Sequence, residues 1–217
     1  MLHRLASLLF PPRCVLCRTF LEPDTTDFCH DCRLHAPVFE KSHVKLSFVA
    51  GWTAVWYYKD AVRESILRFK FYGRRSYAVA YGQALAMQLQ KGQLTDFDIL
   101  TWVPIAPLRR LRRGYDQVEL LVAAVGAELG AHPVRTLKKI RNTPPQSRIR
   151  DSSRRRANVL GAYRAVDKEI IRGKRILLLD DVITTGATVS ECARTLLAAG
   201  AKEVICAGIA ATNHNTK

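Results

Sequence analysis

The sequence predicts an α/β protein: a mostly parallel sheet flanked by helices, preceded by a small four-cysteine zinc module. Three observations predict it. Strand-like and helix-like segments alternate from about residue 49 onward, the order that builds a parallel sheet. An apolar run at 176–179 leads into two adjacent carboxylates, Asp180 and Asp181. This suits a strand buried on both faces whose carboxyl end meets a ligand. Cys14 and Cys17 form one Cys-x-x-Cys pair, and Cys29 and Cys32 another, the spacing of a zinc ribbon or knuckle.

The elements are expected in this order. Residues 2–10 read as a short amphipathic helix before Pro11 and Pro12. The cysteines fall in a module at 11–37, within a first unit of residues 1–40; residues 41–217 form the second. Residues 49–58 are rich in β-branched and aromatic side chains and read as strand. Residues 61–71 have helical spacing, with Val62, Ile66 and Phe69 near one side. Residues 77–90 are an Ala-rich helix ending near Gly92. Residues 99–103 are a strand stopped by Pro104, and 117–129 an apolar helix ending at Gly130. Residues 134–137, 162–166, 176–179 and 203–210 read as further strands. Residues 141–157 are a Pro- and Arg-rich loop, of a length more common in a binding loop than in a connector.

The composition sets bounds. A 217-residue chain that is 48% hydrophobic can fill the core of one α/β domain beside a small module. No apolar run reaches the roughly 18 residues of a membrane span. The run at 5–10 is too short for a signal-peptide core, so a cytoplasmic location is expected. The formal charge of +15 favours polyanions, either nucleic acid or phosphorylated ligands, though a basic surface without a dedicated partner gives the same number.

Residues 176–188 read Ile-Leu-Leu-Leu-Asp-Asp-Val-Ile-Thr-Thr-Gly-Ala-Thr. Asp180 and Asp181 are expected at the sheet rim, where a carboxylate pair suits a diol or a hydrated metal. Thr184, Thr185, Gly186, Ala187 and Thr188 would open the next helix, whose free N–H groups and dipole favour an anion. Gly186 permits close backbone approach and the threonines add hydroxyl donors. A ribose 5-phosphate carries both a diol and a phosphate. A second block, at 103–117, leaves a strand, turns at prolines and presents Arg109, Arg110, Arg112 and Arg113 on what reads as a second rim loop. These four suit pyrophosphate or a nucleic-acid backbone; the alternative is a solvated basic loop. The four N-terminal cysteines suit a structural zinc, with two disulfides or four free thiols as the alternatives; Cys192 and Cys206 read as small core residues.

The segment at 176–188 resembles the phosphoribosyl-pyrophosphate (PRPP) signature of type I phosphoribosyltransferases. That resemblance implies that the acidic pair binds the ribose hydroxyls, the Thr/Gly loop holds the 5-phosphate, and Mg²⁺ accompanies the pyrophosphate. The whole chain resembles the ComF family of competence-associated proteins, which carry a phosphoribosyltransferase-like domain. The match rests on the cysteine module, Arg-Gly-Tyr-Asp-Gln at 113–117, Thr-Pro-Pro-Gln at 143–146, Arg-Ala-Asn-Val-Leu-Gly at 156–161 and the signature at 180–188. The family commonly shows Phe-Asn where this chain has Tyr115-Asp116.

The resemblance implies a role in natural transformation: uptake and handling of incoming single-stranded DNA beside a helicase-like partner. The block at 68–75, Arg-Phe-Lys-Phe-Tyr-Gly-Arg-Arg, interleaves base and aromatic as single-strand binding requires. A helix end with core aromatics reads the same. Two other functions stay open: transfer of ribose 5-phosphate to an acceptor, and PRPP sensing. No sequence element reads a particular base or acceptor.

Overall fold

The strand that carries the two carboxylates lies inside a parallel sheet, paired on both sides. The computed structural model describes residues 11–22, 25–40, 44–141 and 157–212. The expected helix at 2–10 and nearly all of the loop at 141–157 lie outside these residues. The elements are α1 (His30–His35), β1 (Gly51–Tyr57), α2 (Asp60–Phe71), α3 (Tyr77–Lys91), β2 (Ile99–Trp102), α4 (Pro107–Arg113), α5 (Gln117–Leu129), β3 (Leu137–Lys139), β4 (Tyr163–Ala165), α6 (Lys168–Ile171), β5 (Arg175–Ile183), α7 (Ala187–Ala198) and β6 (Glu203–Ala211). The main sheet runs β1-β6-β5-β2 with every pairing parallel.

Helices cover both faces, so strands β5 and β6 carry apolar side chains on both sides, as a doubly covered sheet requires. On one face Val62, Ile66 and Phe69 of α2, Tyr81, Leu85 and Leu89 of α3, and Val118, Leu121 and Val125 of α5 pack on Leu177, Leu179 and Ile209. On the other, Val189, Cys192 and Leu196 of α7 pack on Ile176, Leu178 and Cys206. Cys192 and Cys206 are buried there, as small core residues are expected to be. Gly82 lets α3 and α5 approach closely, since a Cβ there would lie 2.5 Å from that of Ala124. The expected helix at 117–129 is found with those bounds: Asp116 caps its start, accepting from Val118 and Glu119 N–H, and Gly130 ends it in the left-handed region.

Three expectations are corrected. The strand expected at 134–137 makes one parallel bridge, Pro133 with Leu100, before the chain leaves the main sheet. Residues 137–139 then pair antiparallel with 163–165 in a separate two-stranded ribbon. Val134 N–H still donates to Leu100 O, but Thr136 N–H turns to the Thr101 hydroxyl instead of a strand carbonyl, at 3.4 Å. The Arg109–Arg113 block is not a loop. It lies in α4, entered at Pro107 and closed by Gly114 at φ 74°, both regular helix punctuation. Strand β5 continues past Asp180 and Asp181 to Ile183, because β6 is equally long and still pairs there, Val182 with Ala210 and Ile183 with Ala211.

The cysteine segment is docked on the sheet edge and shares its core. Phe39 N–H donates to Val55 O and Tyr57 N–H to Pro37 O. Phe28 packs edge-on against Trp56 with ring centres 5.6 Å apart. Val15 and Leu16, between the first two cysteines, are both buried; burying each such side chain stabilises by about 1.5–3 kcal/mol.

Candidate functional site

The site forms where the carboxyl half of β5 meets α2, α5 and the β3–β4 ribbon. Asp181 is held on one side: Lys70 Nζ of α2 lies 2.9 Å from Oδ1, and Gln117 Nε2, at the first position of α5, donates to Oδ2 at 2.8 Å. Gln117 in turn accepts from Arg113 Nη1 at 2.7 Å. Arg113 also lies over the Phe71 ring, 4.7 Å from its centre. Lys70, Asp181, Gln117 and Arg113 therefore form one chain of charge-assisted contacts.

Asp180 points to other company. Its Oδ1 accepts the backbone N–H of Asp181 at 2.8 Å. Its charge is felt by Lys139 on β3 and Tyr163 on β4, where Lys139 Nζ donates to Tyr163 Oη at 3.2 Å. Burial and the neighbouring Asp181 charge push the Asp180 carboxyl up to about 8. Burial also acts to raise Asp181, but the Lys70 charge and hydrogen bond, with Gln117, outweigh it and hold Asp181 below the usual carboxylate range. The two carboxyls are thus driven apart, Asp180 toward the protonated form and Asp181 toward the charged one.

The anion loop follows. Gly186 precedes α7 at φ 72°, in the left-handed region that favours glycine. A Cβ there would also collide with Leu46. Thr185 Oγ1 accepts from Ala187 N–H at 3.5 Å. Thr184, Thr185 and Thr188 are partly exposed, while Gly186 and Ala187 are buried. The first-turn N–H groups of α7 have no intrahelical acceptor by construction and point out of the helix start.

The four arginines of the second block divide by helical face. Arg109 and Arg113, one turn apart on α4, are partly buried, whereas Arg110 and Arg112 are exposed. Burial and the nearby Arg113 charge lower the Arg109 pKa; burial and Arg109 likewise lower that of Lys139. Three cations thus converge beside the acidic pair and repel one another, an arrangement that an anion relieves. Arg110 instead pairs with Glu119 at 3.0 Å, in the open. The carboxylate at 116, where the family commonly has Asn, caps α5 and also accepts from Ile105 N–H at 3.4 Å. Sequence reasoning misses Lys139 and Tyr163 altogether. It names Lys70 and Gln117 inside their blocks without assigning them to Asp181.

Away from this site, the Sγ atoms of Cys14, Cys17, Cys29 and Cys32 lie within 4.8 Å of one another and can hold a metal ion. The donor set fits a tetrahedral thiolate site. Cys32 N–H donates to Cys29 Sγ at 3.4 Å, the kind of support that steadies a ligating sulfur.

The phosphoribosyl transferase domain family matches residues 126–217, which include β5, the acidic pair and the loop. Competence protein ComFC of Streptococcus pneumoniae is 30% identical over 190 residues, covering 87% of this chain and 77% of that protein. The chain belongs to the ComF family of competence proteins. Competence protein F of Haemophilus influenzae is 28% identical over 188 residues, 84% of this ComF chain and 77% of its own length. The DNA utilization protein YhgH of Salmonella typhi is 35% identical over 108 residues, 49% of this chain and 46% of that one. The matched domain, the parallel sheet and the four-cysteine cluster make it a phosphoribosyltransferase-like α/β domain with a four-cysteine module. Among the described residues no helix is long and apolar enough to cross a membrane.

Proposed function

We propose that this ComF protein binds PRPP with Mg²⁺ and acts in natural transformation, handling incoming single-stranded DNA in the cytoplasm. The observation that carries the reading is the acidic pair on the central strand, immediately followed by a glycine-capped helix start. Asp180 and Asp181 would accept the ribose hydroxyls. Thr184, Thr185, Gly186, Ala187 and Thr188 would hold the 5-phosphate with backbone N–H groups and hydroxyls. Arg109 and Arg113 face the same space and suit the pyrophosphate; Arg110 and Arg112 face solvent and suit a nucleic-acid backbone. Magnesium, a hard cation taking carboxylate and phosphate oxygens, would neutralise pyrophosphate charge beside Asp180. Zinc on Cys14, Cys17, Cys29 and Cys32 would hold the N-terminal unit of residues 1–40 against the domain of 41–217. The names of the relatives, competence protein and DNA utilization protein, support the setting, and a helicase-like competence partner fits it.

The test is calorimetry with PRPP and Mg²⁺ on the full chain. Saturable binding is expected, weakened about five- to hundredfold in Asp181→Ala, from the roughly 1–3 kcal/mol of a hydrogen bond to a charged acceptor. Unchanged affinity in the Asp180→Ala/Asp181→Ala double variant would sink the assignment. A second reading is turnover: transfer of ribose 5-phosphate from PRPP to an acceptor. It is favoured by the Asp180 carboxyl at about 8, a value at which a group gives or takes a proton near neutrality. Pyrophosphate release with a panel of bases and amines separates the two readings.

A further inference from the structure

Helix α2 touches both centres at once. Ser65 Oγ donates to Val15 O at 2.5 Å. Arg68 Nη2 donates to Leu16 O at 2.5 Å and to Val15 O at 3.3 Å. Val15 and Leu16 are the two residues between Cys14 and Cys17, so both contacts grip the knuckle of the cysteine cluster. On the same turn, Lys70 holds Asp181 at 2.9 Å. Phe69 between them is fully buried, and its carbonyl accepts the Tyr115 hydroxyl. The last turn of α2 is thus clamped to the cysteine knuckle at one point and to the acidic pair at another.

Arg68 is unusually placed for a cation. Its Nε is buried and has no hydrogen-bond partner among the described residues, and its Nη2 contacts are two neutral carbonyls. Arg68 is partly buried, and a guanidinium drawn out of water is costly without a counter-charge. Four thiolates around a divalent ion would carry a net double negative charge, in a cluster whose Cys14 and Cys17 flank the two carbonyls Arg68 grips.

We propose that Arg68 is a positioning residue that links metal loading of the four-cysteine cluster to the placement of Lys70, and through Lys70 to the acidic pair. A loaded cluster supplies the counter-charge, fixes the end of α2 and leaves Lys70 aimed at Asp181, which is thereby oriented for a ligand. Emptying the cluster removes the counter-charge and loosens the knuckle together. The ligand consequence rests on the PRPP reading above; the link from cluster to Lys70 does not.

The experiment is hydrogen exchange by mass spectrometry on the full chain, metal-loaded and after chelation, for the natural protein and Arg68→Met. Metal content is followed by elemental analysis, and PRPP with Mg²⁺ is titrated into each form. Chelation is expected to speed exchange at residues 66–72 about tenfold. Metal-loaded Arg68→Met should show that faster exchange already, with chelation adding less than about twofold, and PRPP affinity should fall about fivefold or more in either case, the usual size of such a coupling. A role confined to packing would make the two perturbations add. Exchange at 66–72 untouched by chelation overturns the proposal. So does metal-loaded Arg68→Met that matches the natural protein. Should chelation unfold the chain, the metal-loaded variant alone decides. Should the natural protein bind no PRPP, the functional reading fails while exchange still decides the role of Arg68.

Discussion

Replacing Lys70 with Met strips the nearest cation from a buried carboxylate. In the native structure the two side chains are only 18% and 10% exposed and meet at 2.9 Å. Breaking a buried pair by removing one partner costs about 3–5 kcal/mol. An abandoned Asp181 can limit the cost by taking up a proton, at about 1.4 kcal/mol per pH unit above its ordinary value near 3.9, or about 4 kcal/mol at pH 7, and the variant also loses what the lowered native value contributes. Each kcal/mol moves the melting temperature of a domain this size by roughly 2–4 °C, so Lys70→Met should melt about 6–20 °C lower at pH 7. The pH dependence carries the sharper test. Burial alone would raise Asp181, yet Lys70 and Gln117 hold it below its ordinary range. Its stabilisation is therefore present above the unfolded value and is lost as pH falls through the folded one. In the variant the carboxyl protonates earlier, and between pH 7 and pH 5 the deficit should shrink by up to about 2.7 kcal/mol. Thermal melts followed by circular dichroism at pH 7 and pH 5 measure both. A deficit independent of pH, or no deficit at pH 7, would refute the ion-pair argument.

Asp180 should behave in the opposite sense: with its carboxyl raised to about 8 by burial and by Asp181, the protonated form contributes stability below about 3.9 that fades as pH rises through 8. Asp180→Asn should thus gain on the natural protein between pH 6 and pH 9 in melting experiments, and a constant difference would contradict the raised value. Gly186→Ala should cost about 1–3 kcal/mol through its left-handed backbone, plus the collision with Leu46. A Leu46→Ala partner substitution should recover only the second part, as chemical denaturation can show. Arg110→Ala with Arg112→Ala should flatten the salt dependence of single-stranded DNA binding, by about 0.7 in log–log slope for each phosphate these side chains neutralise, and leave PRPP affinity alone. Arg109→Ala with Arg113→Ala should do the reverse, and fluorescence anisotropy beside calorimetry would expose a mistaken division.

The parts visible in the sequence are those with strong local signals. The helix at 117–129 carries a side-chain cap at Asp116, an apolar interior and a left-handed Gly130, and its bounds are legible to the residue. The carboxylate–threonine signature and the paired cysteines are equally local. Helix α4 escapes because it has no buried residue; with Leu111 80% exposed, no apolar stripe marks a helical period. Only its punctuation at Pro107 and Gly114 gives it away. The extension of β5 through the acidic pair depends on the length of its neighbour β6, a property of pairing that no single strand encodes. The hold of Lys70 and Gln117 on Asp181 is likewise tertiary. Those residues come from three elements far apart in the chain, and each cation or amide looks locally like a helix-end polar residue.

The close seating of Gly82 against Ala124 has a mechanical consequence. With a would-be Cβ only 2.5 Å from its neighbour, α3 and α5 interlock like meshed gear teeth, and neither can slide or roll without the other. Gln117, at the first turn of α5, is therefore bolted to the larger of the two helical plates and sets a fixed datum for Asp181. Compliance falls to the other grip, the longer Lys70 side chain. Ligand traffic across the acidic pair would then be absorbed by one flexible arm, while the opposite jaw of the clamp stays still.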